Sequence, residues 1–95
     1  MQINNYLFEK TCDACPEQYE VYDENGKHVA YVRLRWGYLY AVCPDIGGDM
    51  VYEYEFEGDQ GCFINNVERA IHLNRIANAI EIFYKRYFKW TNMKP

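Results

Sequence analysis

The sequence predicts an α+β domain: a four-stranded antiparallel meander, strand order 1-2-3-4, with one long C-terminal helix packed on one face. Three observations predict it. Asn25-Gly26 and Trp36-Gly37 each separate two runs of alternating apolar and polar residues, the short-range signature of a hairpin. "MVYEYEFEGD", residues 50–59, alternates in the same way. Residues 65–90 then repeat apolar side chains at helical spacing. The chain reads as a single domain over 1–95, with an irregular N-terminal segment (1–18), a sheet (19–57) and a helix (65–90).

The strands follow from turn chemistry. A two-residue turn at Asn25-Gly26 sets Glu24 against Lys27, Val21 against Ala30 and Tyr19 against Val32. A turn at Trp36-Gly37 sets Leu34 against Leu39, Val32 against Ala41 and Ala30 against Cys43. Both pairings place apolar residues on one side of the sheet, and a slip of one residue would flip every side chain. For the fourth strand, Leu39 against Tyr54 and Ala41 against Tyr52 keeps that side apolar. The alternative register would bury Glu53 without a partner. Tyr52, Tyr54 and Phe56 are therefore expected to face the core, and Glu53, Glu55 and Glu57 to face away.

The helix is expected to begin near Asn65 or Asn66, where Asn65 and Glu68 resemble a capping box. Ala70, Leu73, Ala77, Ile80, Tyr84 and Phe88 form the stripe expected to cover the sheet. Ile71, Ala79 and Ile82 fall on the opposite side, expected to lie under Tyr6, Leu7 and Phe8 or to serve a partner or a homodimer.

The sheet face away from the helix carries Tyr31, Arg33, Arg35, Tyr38, Tyr40, Glu53 and Glu55, with rows such as Arg33–Tyr40–Glu53 running across the strands. Tyrosine and arginine combine large contact area with a polar end and are enriched at protein interfaces. The plainer reading is a solvated face held by cross-strand pairs, with glutamates that discourage edge-to-edge aggregation. A sharper one is imitation of a phosphate backbone. Glu53, Glu55 and Glu57 would recur at about 6.6–6.8 Å along a strand, with Asp45, Asp49 and Asp59 nearby.

Cys12 and Cys15 form a CxxC, while Cys43 and Cys62 stand alone, a weak zinc signal. Cys43 belongs at the opposite end of the sheet from Cys62. A metal site would therefore take Cys12, Cys15 and Cys62, with Asp13 or Asp59 as a fourth ligand. His72 is expected on the exposed side of the helix. No helix N-terminus after a strand accompanies the CxxC, so redox chemistry is not indicated. Inert thiols, with no metal and no cofactor, are the expectation.

"YKRYFKW" interleaves Lys85, Arg86 and Lys89 with Tyr84, Tyr87, Phe88 and Trp90, a mixture that suits single-stranded nucleic acid by stacking and charge. A formal net charge of −4 disfavours nonspecific attraction to nucleic acid or an anionic membrane. No apolar run approaches the roughly 18 residues of a membrane span. "MQINNYLFEK" lacks a basic stretch followed by an apolar one, so a cytoplasmic protein with reduced thiols is expected.

No nucleophile–base pair or phosphate loop can be assembled, so an enzyme is not expected. "GKHVAYVRLRWGYLYAVCPDIGGDM" resembles the strand pair that leads to the cofactor turn of GNAT-type acetyltransferases. "PDIGGDM" lacks that turn's basic or amide residue and its glycine spacing, and strand "VYEYEF" stands where the helix should follow. The resemblance fails at its functional part and assigns no family. The leading expectation is a small protein-binding module, an inhibitor or accessory factor of the kind carried by phages and other mobile elements. The alternatives are nucleic-acid association through the helix tail and a zinc-stabilised domain.

Overall fold

Six strands, not four, build the sheet. A computed structural model describes residues 1–93, with side chains through Arg86. The elements are β1 Gln2–Ile3, β2 Tyr6–Lys10, β3 Glu17–Tyr22, β4 His28–Arg35, β5 Tyr38–Cys43, β6 Asp49–Glu55 and α1 Asn66–Met93. All neighbours are antiparallel, in the order β1-β2-β3-β4-β5-β6. The α+β class, the antiparallel sheet and the C-terminal helix are as expected from the sequence.

The expectation of an irregular segment over 1–18 is corrected. Ile3 pairs with Tyr6 across a tight reversal at Asn4-Asn5, and Asn4 takes φ 55°, a left-handed conformation that asparagine tolerates. β2 then pairs with β3, and Phe8 opposite Val21 joins the core. β3 begins at Glu17 rather than at Tyr19.

The expected registers hold through the middle of the sheet. Tyr19 faces Val32 and Val21 faces Ala30. Leu34 faces Leu39 and Val32 faces Ala41. Leu39 faces Tyr54 and Ala41 faces Tyr52. Trp36 (φ 55°) and Gly37 (φ 74°) both adopt positive φ, as a two-residue I′ reversal requires. A Cβ on Gly37 would lie 2.0 Å from the Gly58 carbonyl oxygen, so the loop after β6 closes against this turn only because residue 37 is glycine.

The first turn differs. Asn25 is not in the left-handed region, which excludes the two-residue I′ form and the pairing of Glu24 with Lys27. Gly26 N donates to Asp23 O (3.0 Å) and Asp23 N to Lys27 O (2.8 Å), with Gly26 at φ 80°. The Asp23 carboxylate accepts from Asn25 N and Lys27 N, each at 2.9 Å, and this Asx geometry favours the longer loop. A bulge follows, and Tyr22 pairs with His28.

The helix start is capped as its sequence implies: Asn65 Oδ1 accepts from Glu68 N (2.9 Å). Glu68 Oε1 accepts from Ile64 N (3.0 Å), one residue earlier than a reciprocal capping box would place it. α1 contacts β6 and β5, and also β1 at the far edge, so the sheet wraps around it. Phe8, Val21, Leu34 and Leu39 from the sheet meet Leu73, Ile76, Ala77 and Ile80 from the helix. Each fully buried large aliphatic contributes about 1.5–3 kcal/mol.

The core stripe of the helix is rotated from the expected one. Ala70 is exposed, while His72 and Ile76 are buried. The expected place of Phe88 on the stripe lies outside the described side chains. The rotation has a physical cause: two polar residues, Arg69 and His72, occupy core positions because each finds a partner there. Arg69 binds Glu17, whose side chain is fully buried, through Nε to Oε2 (2.6 Å) and Nη2 to Oε1 (3.0 Å). Tyr19 OH also donates to Glu17, and Phe63 N donates to Oε1 at 3.2 Å. Burial resists the charge on Glu17, but the bonds from Arg69, Tyr19 and Phe63 outweigh it and hold the carboxyl below its usual range.

A disulfide between Cys15 and Cys62, with Cα atoms 5.4 Å apart, brackets the same corner, and Glu17 N donates to Gly61 O (2.7 Å). The expectation of four reduced thiols is thereby corrected. The turn before β3 and the loop before α1 are brought together by packing, so the two sulfurs meet.

Arg69→Met leaves the Glu17 carboxylate buried without a cation and is expected to lower the unfolding free energy by about 3–5 kcal/mol in urea denaturation at neutral pH. Adding Glu17→Leu should recover much of the loss. Because the folded pKa of Glu17 is depressed, the unfolded chain takes the proton first as pH falls. The penalty of Arg69→Met should therefore shrink below the ordinary carboxylate range.

Candidate functional site

Alternation across the pleat leaves the face away from α1 without a covering layer among the described residues. Cross-strand rows on it run Gln18–Arg33–Tyr40–Glu53 and Arg35–Tyr38–Glu55, and Glu20–Tyr31–Val42 lies beside them. All seven residues expected on this face are brought together there. Tyr31 differs in exposure: it is 7% exposed, its hydroxyl donates to Gln18 Oε1 at 2.6 Å, and its ring lies 6.3 Å from that of Tyr40. It supports the surface rather than presenting itself.

Tyr38 and Tyr40 stack at 5.7 Å, and the Tyr38 hydroxyl points to Glu53 at 3.5 Å. Desolvation first, and then the Glu53 carboxylate, push the Tyr38 phenol above its ordinary value. Burial does the same for Tyr31, so both hydroxyls stay protonated as donors. Sequence reasoning missed Trp36, treated only as a turn residue. Its side chain is 69% exposed, and the Arg35 guanidinium lies 5.7 Å from its ring centroid, a cation–π distance. Arg33, Arg35, Trp36, Tyr38 and Tyr40 line one cleft of about 290 Å³. Arg33 Nε is buried and has no hydrogen-bond partner among the described residues.

The expected carboxylate row is shorter than a phosphate mimic needs. β6 ends at Glu55, so Glu57 lies beyond the strand and the two-residue spacing covers only Glu53 and Glu55.

The cysteine metal set is not assembled. Cys15 and Cys62 are spent on each other, Cys12 is free and half-buried, and Cys43 is buried in the core. Burial pushes the Cys43 thiol up to about 11, which makes it unreactive. Glu20, His28 and Asp45 form a trio whose ligand-type atoms lie within 4.8 Å of one another. His28 Nε2 contacts the Glu20 carboxylate directly, and Nδ1 lies 4.0 Å from Asp45. The imidazole thus sits between two carboxylates.

Lys85 and Arg86 are exposed, but Tyr84 packs on the core and donates to the Val29 carbonyl oxygen. The side chains of Tyr87, Phe88, Lys89 and Trp90 lie outside the described residues. Ile71 and Ile82 are exposed. Tyr6, Leu7 and Phe8 do not cover them, because those residues form β2.

His72, expected on the exposed side, is 4% exposed. Its Nδ1 bonds the Tyr52 hydroxyl at 2.9 Å, and the rings of Tyr54, Phe56 and Phe63 lie 4.6, 5.1 and 5.8 Å away. Burial first, and then the Arg75 charge, lower its pKa. Among the described residues no helix is long and apolar enough to cross a membrane. No protein-family model, curated protein or solved structure matches the chain.

The folded state resists protonation of His72, so the stability its neutral form confers is complete above the unfolded histidine range and declines as pH falls through it. The stability difference between wild type and His72→Gln should shrink below about pH 6.5. A difference that stays constant from pH 7 to pH 5 in chemical denaturation would contradict a desolvated imidazole.

Proposed function

We propose that this chain is a non-catalytic protein-binding module, an inhibitor or accessory factor, whose docking surface is the open face of the sheet. The observation that carries the reading is the cleft of Arg33, Arg35, Trp36, Tyr38 and Tyr40, bordered by Glu53 and Glu55. Residues of this kind dominate binding energy at protein interfaces, because rigid aromatic rings and planar guanidinium groups lose little entropy on contact. The Tyr38 phenol, raised above its ordinary value, keeps its hydroxyl as a donor at the border with Glu53. A purely solvated face has no use for an exposed tryptophan under an arginine.

The nucleic-acid alternative would rest on exposed Lys85 and Arg86. It is the weaker reading, since Tyr84 is committed to the core.

Combined charge reversal by Arg33→Glu and Glu53→Lys should abolish capture of the partner from a native lysate and leave the amide spectrum of the fold intact. Trp36→Ser, at an exposed turn position, should weaken the same capture on its own. Undiminished capture by both variants would reject the face.

A further inference from the structure

β6 is the outer strand of the sheet, and among the described residues no backbone group pairs with its free edge. Its seven residues, Asp49–Glu55, carry a bulge opposite Ala41–Val42 and three carboxylates, which guard the edge against like strands but leave its outer backbone groups unpaired. Beside its first half runs a groove of about 530 Å³ between strand and helix, lined by Asp49, Met50, Val51, Ala79, Ile82, Phe83 and Arg86. Met50 is 47% and Ile82 51% exposed, so the groove presents apolar side chains to water directly next to open backbone donors and acceptors. On the other side of the strand stand Glu53 and Glu55, both exposed.

We propose that the free edge of β6 accepts an extended strand from a partner protein, one carrying Lys or Arg on one side and apolar residues on the other. The strand adds to the sheet by main-chain hydrogen bonds. Its apolar side chains enter the groove over Ala79, Ile82 and Phe83, and its basic side chains lie against Glu53 and Glu55. This is β-strand addition, in which the backbone supplies affinity and alternate side chains supply specificity. Charge decides the occupant. β6 holds three carboxylates, Asp49, Glu53 and Glu55, and no base. A second copy paired edge to edge would line up like charges, whereas a basic strand neutralises them. Ala79 and Ile82, candidates for a homodimer contact by sequence, become the floor for a partner strand instead. The inference shares Glu53 and Glu55 with the border of the aromatic cleft, but its main-chain edge and its groove over Ala79, Ile82 and Phe83 lie outside that cleft.

The test is a titration of isotope-labelled protein with a capped peptide, Lys-Val-Lys-Val-Lys-Val-Lys, and with its counterpart bearing Glu in place of Lys. The lysine peptide should shift the amides of β6 and of Ala79–Phe83 and slow hydrogen exchange along β6. The glutamate peptide should do neither. Ile82→Glu and Glu55→Lys should each weaken lysine-peptide binding by about ten-fold, while Glu24→Lys, a like charge change at the distant β3–β4 turn, should leave it unchanged. The proposal is overturned by absence of shifts at millimolar peptide, by equal binding of both peptides, by shifts confined to the aromatic cleft, or by edge protection that appears only as the protein itself self-associates. Partner capture is not read here, and Ile82→Glu with the Ala79–Phe83 shifts lies outside the aromatic cleft, so each of the two proposed surfaces can fail without the other.

Discussion

The carboxylate of Glu17 is the contact on which the arrangement of layers depends. It sits at the start of β3 with a fully buried side chain, and it gathers Arg69 of the helix, Tyr19 of its own strand and the Phe63 amide into one network. An isolated charge in that position would be prohibitively costly. The helix can therefore approach the sheet only with its first turns rotated to bring Arg69 inward. That rotation selects the helix face that packs, draws His72 into the aromatic cluster and leaves Ile71 and Ile82 outside. The Cys15–Cys62 bridge joins the same two segments, so the corner is held by ionic, hydrogen-bonding and covalent contacts together.

Once that corner is set, the two sides of the sheet acquire different chemistry. The inner side is aliphatic and aromatic and is closed by α1. The outer side keeps its tyrosines, arginines and glutamates in cross-strand rows, with none of the described residues laid over them. The rim at β6 is a third environment, where unpaired backbone, a partly apolar groove and a carboxylate row meet. An ordinary solvated sheet would need neither the Arg35–Trp36 stack nor exposed aliphatics beside an open strand edge. Both features are the ones on which the proposed binding role rests.

Much of the sheet was legible in the chain because alternation constrains register so strongly. Val21, Val32, Leu34, Leu39 and Ala41 could face one side together in only one pairing, and that pairing is the one observed. β1 and β2 were hidden by brevity. "QINNYLFEK" holds a two-residue strand and a five-residue strand about an Asn-Asn reversal, too little pattern to distinguish from a loop. The first hairpin misled because Asn-Gly is the strongest I′ signal, while the Asp23 side chain favours a longer turn. Arg69 and His72 were invisible for another reason. A search for apolar spacing cannot find a polar core residue whose partner lies elsewhere: Glu17 is 52 residues from Arg69 and Tyr52 is 20 from His72. Of the candidate site, the residues and their rows were readable, whereas the exposure of Trp36 and the burial of Tyr31 required packing to be known.

Hydroxyl-radical footprinting with peptide-level mass spectrometry tests the central claim, that α1 covers one side of the sheet and leaves the other open. Trp36 and Tyr38 should be oxidised readily in the native protein, while Phe8, Tyr19 and Leu39 remain protected until the fold is lost. Oxidation of Tyr19 and Leu39 at rates matching Trp36 and Tyr38 would contradict the two-sided sheet, and with it the surface from which the function is read.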